Sequence, residues 1–416
     1  MSTMSMQQPA LVSRWRKAPL PFVGLAIGML ASYLPGLVPG GLGVGISYLG
    51  WIVPLVLCGA APLIYRRRIH FPLLLWLPWA MWALLYLLLA EADNAFQRTV
   101  MLLTPLVVGA GFSTLRVDAR LIEKVSLWIG RFFWVFLAAA AVSTGLAAGT
   151  LHATSGFAAG SITASLLAAW YVARYAGGDR RALLFWAVLA AVPVLATTRT
   201  GMVAVALTLP LTLAPLSMKK RVIAVAALVV AGLLVFQSER VQNKMFYSGQ
   251  GTLSDAVAGV AGLFAGEETK TGDFATSGRK SMNNALIARL DEAYWLGHGA
   301  NTTEAISLAI AGVTHPHNDW LRLRYEYGMA GMLLFIVTVL AQMAHAIRRF
   351  RRLRGSEAAI FLYVGTAAFI PMVVFMFSDN VILYAAWFGN LQFALLGLGY
   401  AALRSARREA RAGSRP

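Results

Sequence analysis

The sequence predicts an all-α, polytopic membrane protein of about 12 transmembrane helices, with one large loop between the late spans that contains amphipathic helices. Three observations predict it. Of 416 residues, 58% are hydrophobic and only 13% are charged, about half the roughly 25% charge of an average soluble domain. The apolar residues fall in runs long enough for a helix to cross about 30 Å of hydrocarbon, which takes about 20 residues. The basic residues lie between those runs or near their ends, with Arg131 left deep inside the fifth. This distribution excludes a soluble enzyme, and the lone Cys58 excludes an intrachain disulfide.

In chain order, residues 1–17 are a polar tail with Arg14, Arg16 and Lys17. No A-x-A-like cleavage site follows, so the first run is expected to be a retained span and not a signal peptide. Runs at 18–35, 43–64, 71–90, 99–115, 125–149, 157–175, 182–197, 201–217 and 222–237 place transmembrane helices 1–9 within 18–237. The segment 238–316 is far longer than an ordinary connection between helices. Runs at 318–347, 358–377 and 381–403 place helices 10–12 within 317–403, and 404–416 is a basic tail. Helix-like stretches inside the long loop are expected at Ser254–Gly266 and Ser281–Leu296. In the second, Leu286, Ile287, Leu290 and Tyr294 form an apolar face that suits either the bundle or lipid headgroups.

The formal charge of +18 would suggest nucleic acid in a soluble chain, but its distribution argues otherwise. With a cytoplasmic N-terminus, every inner loop is basic: Arg66–Arg68, Arg116–Lys124, Arg174–Arg181, Lys219–Arg221 and Arg348–Arg354. The excess is a positive-inside signal with both termini cytoplasmic, and the large loop then faces the periplasm. No nucleic acid partner is expected.

Against that bias, a few polar residues on the outer side stand out. Arg199 lies in Thr197-Thr198-Arg199-Thr200-Gly201, where a guanidinium, hydroxyls and a glycine suit a phosphate; the plain alternative is a snorkelling arginine at a helix end. Arg279 follows Thr276-Ser277-Gly278 at the start of a helix, a second position suited to phosphate, or an ordinary N-cap with a solvated charge. The stretch 314–331 carries His315, His317, Asn318, Asp319, Arg322, Arg324 and Glu326. On a continuous helix, His317, Arg324, Gly328 and Gly331 would share one stripe, with the glycines admitting a neighbouring helix. Asp319, Arg322 and Glu326 would form a second stripe of structural ion pairs. His315 and His317 lack third and fourth ligands of suitable spacing, so no metal is expected.

At these residues the chain resembles the O-antigen ligase family. The resemblance rests on His317-Asn318, then nine residues, then Gly328 and Gly331 as Gly-x-x-Gly; on Arg199 and Arg279 as the family's paired arginines; and on Gly297-His298-Gly299 after the loop helix. It implies a GT-C-like glycosyltransferase of the Gram-negative inner membrane. The implied donor is an undecaprenyl-diphosphate-linked glycan and the implied acceptor is lipid A-core, both held among membrane lipids, with no cofactor. His317 would act as general base and Arg199 and Arg279 would hold the diphosphate; His315, Asn318, Asp319, Arg324 and His298 are second-tier candidates. O-antigen polymerases and pilin glycan ligases share the motif. A secondary transporter would also place Arg and His at helix ends, but transporters commonly carry repeats and broken midplane helices, and the sequence shows no internal repeat.

Overall fold

A computed structural model describes residues 19–33, 41–88, 90, 92–149, 155–265, 275, 279–353 and 355–413. The expected tail 1–17, part of the loop and Thr276-Ser277-Gly278 lie outside the described residues. Among the described residues seventeen α-helices follow in order: α1 (Leu20–Tyr33), α2 (Gly41–Tyr65), α3 (Leu73–Leu88), α4 (Ala95–Phe112), α5 (Ala119–Gly149), α6 (Ser155–Ala176), α7 (Ala182–Leu195), α8 (Arg199–Leu207), α9 (Met218–Phe236), α10 (Glu239–Met245), α11 (Leu253–Ala265), α12 (Arg279–Ile287), α13 (Thr303–Ala311), α14 (Asp319–Phe350), α15 (Ala359–Ala367), α16 (Phe369–Phe375) and α17 (Gly389–Gly413).

Every apolar run contains a helix, and the chain is a multi-pass helical membrane protein. Among the described residues, four helices are long and apolar enough to cross a membrane, at Tyr48–Tyr65, Ala95–Phe112, Ala119–Ala141 and Asp319–Leu353; α9 and α10, bent by 77°, supply a fifth if they form one span. The buried core is centred on α6, whose Ile162, Leu166, Leu167 and Trp170 are enclosed by neighbouring helices. Small residues bring α2 and α4 together: a Cβ on Gly111 would fall 2.6 Å from the Cys58 carbonyl.

Helices are shorter than their runs where prolines and polar partners intervene. In the eighth run α8 ends at Leu207, ahead of Pro210 and Pro215, which have no N–H to continue the ladder. The carbonyls left over are taken by one side chain. Arg221 donates to the carbonyls of Pro210, Thr212 (2.7 Å), Ala214 (3.4 Å) and Leu216 (3.2 Å). The eleventh run divides into α15 and α16 just before Pro371, which cannot donate to the Ala367 carbonyl. In the twelfth, residues 381–388 are turns and the helix starts only at Gly389. There the Asp319 carboxylate accepts from Ile382 N–H at 2.8 Å, holding the chain in a non-helical path.

In the segment 238–316, α11 matches the first expected helix. The second is shorter than expected: α12 ends at Ile287 and a 3-10 turn follows at Leu290–Ala293. Leu286 and Leu290 are buried with Tyr325 of α14, flanked by Ile287, Ile306 and Leu321. This amphipathic stretch therefore packs on the bundle.

The single stripe expected on α14 does not form. Gly328 has φ 70° and ψ 178°, so the helix breaks there and the 100° periodicity does not carry across it. His317 precedes the helix, at φ 52°. The break is filled by backbone from the preceding segment: Met329 N–H donates to the Tyr294 carbonyl (2.9 Å), His298 N–H to that of Tyr325 (2.8 Å) and Gly299 N–H to that of Glu326 (3.0 Å). A Cβ on Gly328 would collide with the Trp295 carbonyl, and one on Gly297 would lie 2.6 Å from the Glu326 oxygen. Gly328 thus admits a loop and not a helix. Gly331 does serve helix packing, since a Cβ there would meet Trp82 of α3 at 2.6 Å.

Candidate active site

Four parts of the chain meet around His317: the start of α8, the start of α12 at Arg279, the start of α14 and the connection from α16 to α17. Asn318 caps α14, its side chain accepting from Leu321 N–H at 3.0 Å. Trp320 donates from its backbone to the Met376 carbonyl and from its indole to that of Val373, both at 3.3 Å. With the Asp319 bond to Ile382, these contacts pin the His317 backbone against residues 373–382. The imidazole stays 30% exposed.

Two residues of that connection flank the imidazole. The Asn380 amide lies 3.2 Å from His317 Nδ1, and Asp379 Oδ1 lies 3.7 Å from the same nitrogen. The amide atom facing Nδ1 is the nitrogen, which can only donate, while the buried Asn380 Oδ1 has no hydrogen-bond partner among the described residues. Turning the amide gives that oxygen an Nδ1–H, the tautomer the Asp379 carboxylate also favours, and leaves the Nε2 lone pair to accept a proton.

Arg279 opens α12 and feels the negative charge of Asp379. Burial holds its pKa below the ordinary guanidinium value, with the carboxylate acting in the opposite direction. Arg199 is lowered in the same way, first by burial and then by the positive charge of Arg279. Electrostatically the residues form a chain: Arg199 senses Arg279, Arg279 senses Asp379, and Asp379 lies beside His317. Arg199 also donates from Nη2 to the Ala275 carbonyl at 2.9 Å, tying α8 to the loop.

The residues around Arg199 have a different use from the one their types suggest. Thr198 and Ser161 share a hydrogen bond of 2.6 Å, and Thr200 bonds to Ser378. A Cβ on Gly201 would lie 2.6 Å from Thr198 Oγ1 and 2.7 Å from Ser161 Cβ. These hydroxyls and this glycine pack α8 against its neighbours, leaving the guanidinium as the phosphate-binding candidate.

Residues 182–336 match a family model described as O-Antigen ligase. That stretch belongs to the O-antigen ligase family. The family supports glycosyl transfer of the ligase or polymerase kind, with a lipid-linked glycan donor and an acceptor in the membrane. No curated protein matches the sequence. The ligase-family segment contains both arginines, His298, His315, His317, Gly328 and Gly331. It ends before Asp379 and Asn380, which sequence reasoning passed over. Their signal was an acid and an amide side by side between two apolar runs, counted only as outer-face polarity.

The second-tier residues of the ligase-family segment divide by their contacts. His298 stacks on Tyr325 with ring centroids 4.0 Å apart, and its Nε2 lies 3.7 Å from Glu292. Arg324 places its guanidinium 5.2 Å from the centre of the Tyr294 ring. Both serve the join between the loop and α14. Arg322 and Glu326 form the expected buried pair at 3.0 Å, whereas Asp319 bonds to backbone instead. Burial and the charges of Arg98 and Arg322 push the His315 imidazole down to about 3, which makes it a poor base at neutral pH. Among the described residues, no group of three or more His, Cys, Asp or Glu side chains is placed to hold a metal ion.

Proposed function

We propose that the protein transfers O-antigen polysaccharide from undecaprenyl diphosphate to a sugar hydroxyl of lipid A-core, at the periplasmic side of the inner membrane. In this reading twelve segments span the membrane, with both termini cytoplasmic and the 238–316 loop periplasmic. The observation that carries it is His317, half-exposed and flanked by Asp379 and Asn380, beside an electrostatically coupled arginine pair.

The acceptor hydroxyl oxygen attacks the anomeric carbon of the donor sugar as its proton passes to His317 Nε2. The bond from that carbon to the diphosphate oxygen breaks, and undecaprenyl diphosphate leaves with the electron pair. One direct displacement inverts the anomeric centre. Negative charge grows on the leaving group in the transition state, so cations fixed beside it lower the barrier and do more than bind. Arg199 and Arg279 supply that charge, and a guanidinium can hold phosphate oxygens bidentately without a metal ion. With the Asn380 amide turned to present its oxygen, Asp379 and Asn380 keep the His317 proton on Nδ1 and leave Nε2 to act as the base.

The test is transfer by purified, reconstituted protein given lipid-linked donor with and without lipid A-core. A capped core formed only when both lipids are present is the expected result. Longer donor chains made without core would identify a polymerase instead. Unchanged product from His317→Ala, Arg199→Ala and Arg279→Ala would overturn the site.

A further inference from the structure

A second charged site lies far from His317. Arg180 and Arg181 stand at the opposite end of α7 from Thr197–Arg199, about 21 Å away along a helix of 14 residues. With Arg131 of α5, Arg174 of α6 and Asp179 they line an open pocket of about 870 Å³, together with the aromatic rings of Trp134, Tyr171 and Phe185. Asp179 is the one acid in that lining, and it is paired with Arg174 at 2.9 Å. The pocket therefore retains a surplus of guanidinium charge.

Arg131 also lines a second, almost wholly apolar chamber of about 780 Å³, open on one side and walled by residues of α1, α4, α5, α6 and α17 that include Phe22, Trp128, Phe136, Leu167 and Leu395. Arg131 lies within the Ala119–Ala141 window of a membrane-crossing helix, where an arginine is costly unless a counter-charge meets it. One guanidinium thus stands where a basic, water-accessible pocket gives way to a hydrocarbon-lined chamber.

The geometry points to a binding site for an anionic glycerophospholipid of the adjacent leaflet, its phosphate held by Arg131 with Arg180 and Arg181 and an acyl chain in the apolar chamber. The shape and the charge agree on this occupant. A zwitterionic lipid would bring its own cation into a pocket already positive, and a soluble phosphate would leave the chamber unfilled. The basic rim attracts an anionic headgroup from the membrane surface, and Arg131 draws it to the mouth of the chamber. This site is separate from the transfer chemistry.

Native mass spectrometry of the detergent-solubilised full chain tests it, with phosphatidylglycerol, phosphatidylcholine and soluble glycerol phosphate as probes. The expected result is phosphatidylglycerol binding about tenfold tighter than phosphatidylcholine, with glycerol phosphate weaker than either lipid. Arg131→Gln combined with Arg181→Gln should remove that preference without weakening phosphatidylcholine, and Ala139→Phe, which fills the chamber, should weaken both lipids. Arg181→Gln alone, at an exposed position, should reduce the preference in the same direction should the double variant fail to fold. Equal binding of the two lipids, an undiminished preference in the arginine variants, or glycerol phosphate binding as tightly as phosphatidylglycerol would each overturn the proposal.

Discussion

The two ends of α7 offer opposite treatments of the same side chain. At the Arg181 end, arginines are numerous and largely exposed, and Arg174 is matched by an acid within 3 Å. At the Arg199 end, Arg199 and Arg279 are both half-buried and lowered in pKa by that burial, close to Asp379 and His317. In the proposed reading the number of charges marks orientation and headgroup contact, while desolvation and company mark chemistry. A guanidinium withdrawn from water acts more strongly on a developing negative charge than one in bulk solvent.

Substitutions can break this comparison, beginning with the largest effect. His317→Ala should lower the transfer rate of reconstituted protein about 10³-fold while leaving its melting temperature unchanged, since a general base typically contributes 10²–10⁴-fold. Arg199→Ala or Arg279→Ala should each cost about 10²–10³-fold, and Lys at either position should recover only part of that, because an ammonium keeps the charge and loses the planar fork. Arg181→Gln should leave the rate within about twofold, consistent with a surface charge remote from the chemistry. A comparable loss from Arg181→Gln would erase the distinction between the two ends. Asp379→Asn should reduce kcat about 10- to 100-fold with little change in KM, as expected for a residue that acts through the histidine tautomer.

Stability experiments sharpen the comparison further. Gly328→Ala should destabilise the protein by about 1–3 kcal/mol from its positive φ alone, with more from the collision at Trp295, read as a lower melting temperature in detergent. The smallest effect belongs to His315. Its folded pKa lies below the unfolded value, so the unfolded chain binds more protons between about pH 3 and 6.5 and stability falls as pH drops through that window. His315→Gln should flatten this dependence between pH 7 and 5 and leave the pH profile of transfer unaltered.

The apolar runs made the helices legible, because hydrophobic length is a local property of the chain. Their breaks were less so. The ends at Leu207 and Gly389 depend on where Arg221 and Asp319 reach, and neither partner is visible in a window of sequence. His317, Arg199 and Arg279 were legible as candidates, from motif and from basic charge on what is expected to be the outer side. Asp379 and Asn380 were not, since their meaning comes only from lying 3.7 and 3.2 Å from an imidazole more than sixty positions earlier in the chain. Gly328 was recognised as special for the wrong reason: a stripe calculation assumes an unbroken helix, and its positive φ is what breaks it.

The interlock of Gly297 with Gly328 divides the molecule mechanically. Residues 319–327 are joined to a membrane helix through the break at Gly328, and they are splinted to 294–299 by backbone bonds and to 373–382 by the contacts of Asp319 and Trp320. The histidine takes its bearings from those two stretches, and Arg279 opens α12, whose Leu286 packs on Tyr325 of the same splinted segment. Insertions or deletions between α11 and Arg279 would consequently change the length of the loop while α12 holds the arginine and the splint holds the histidine.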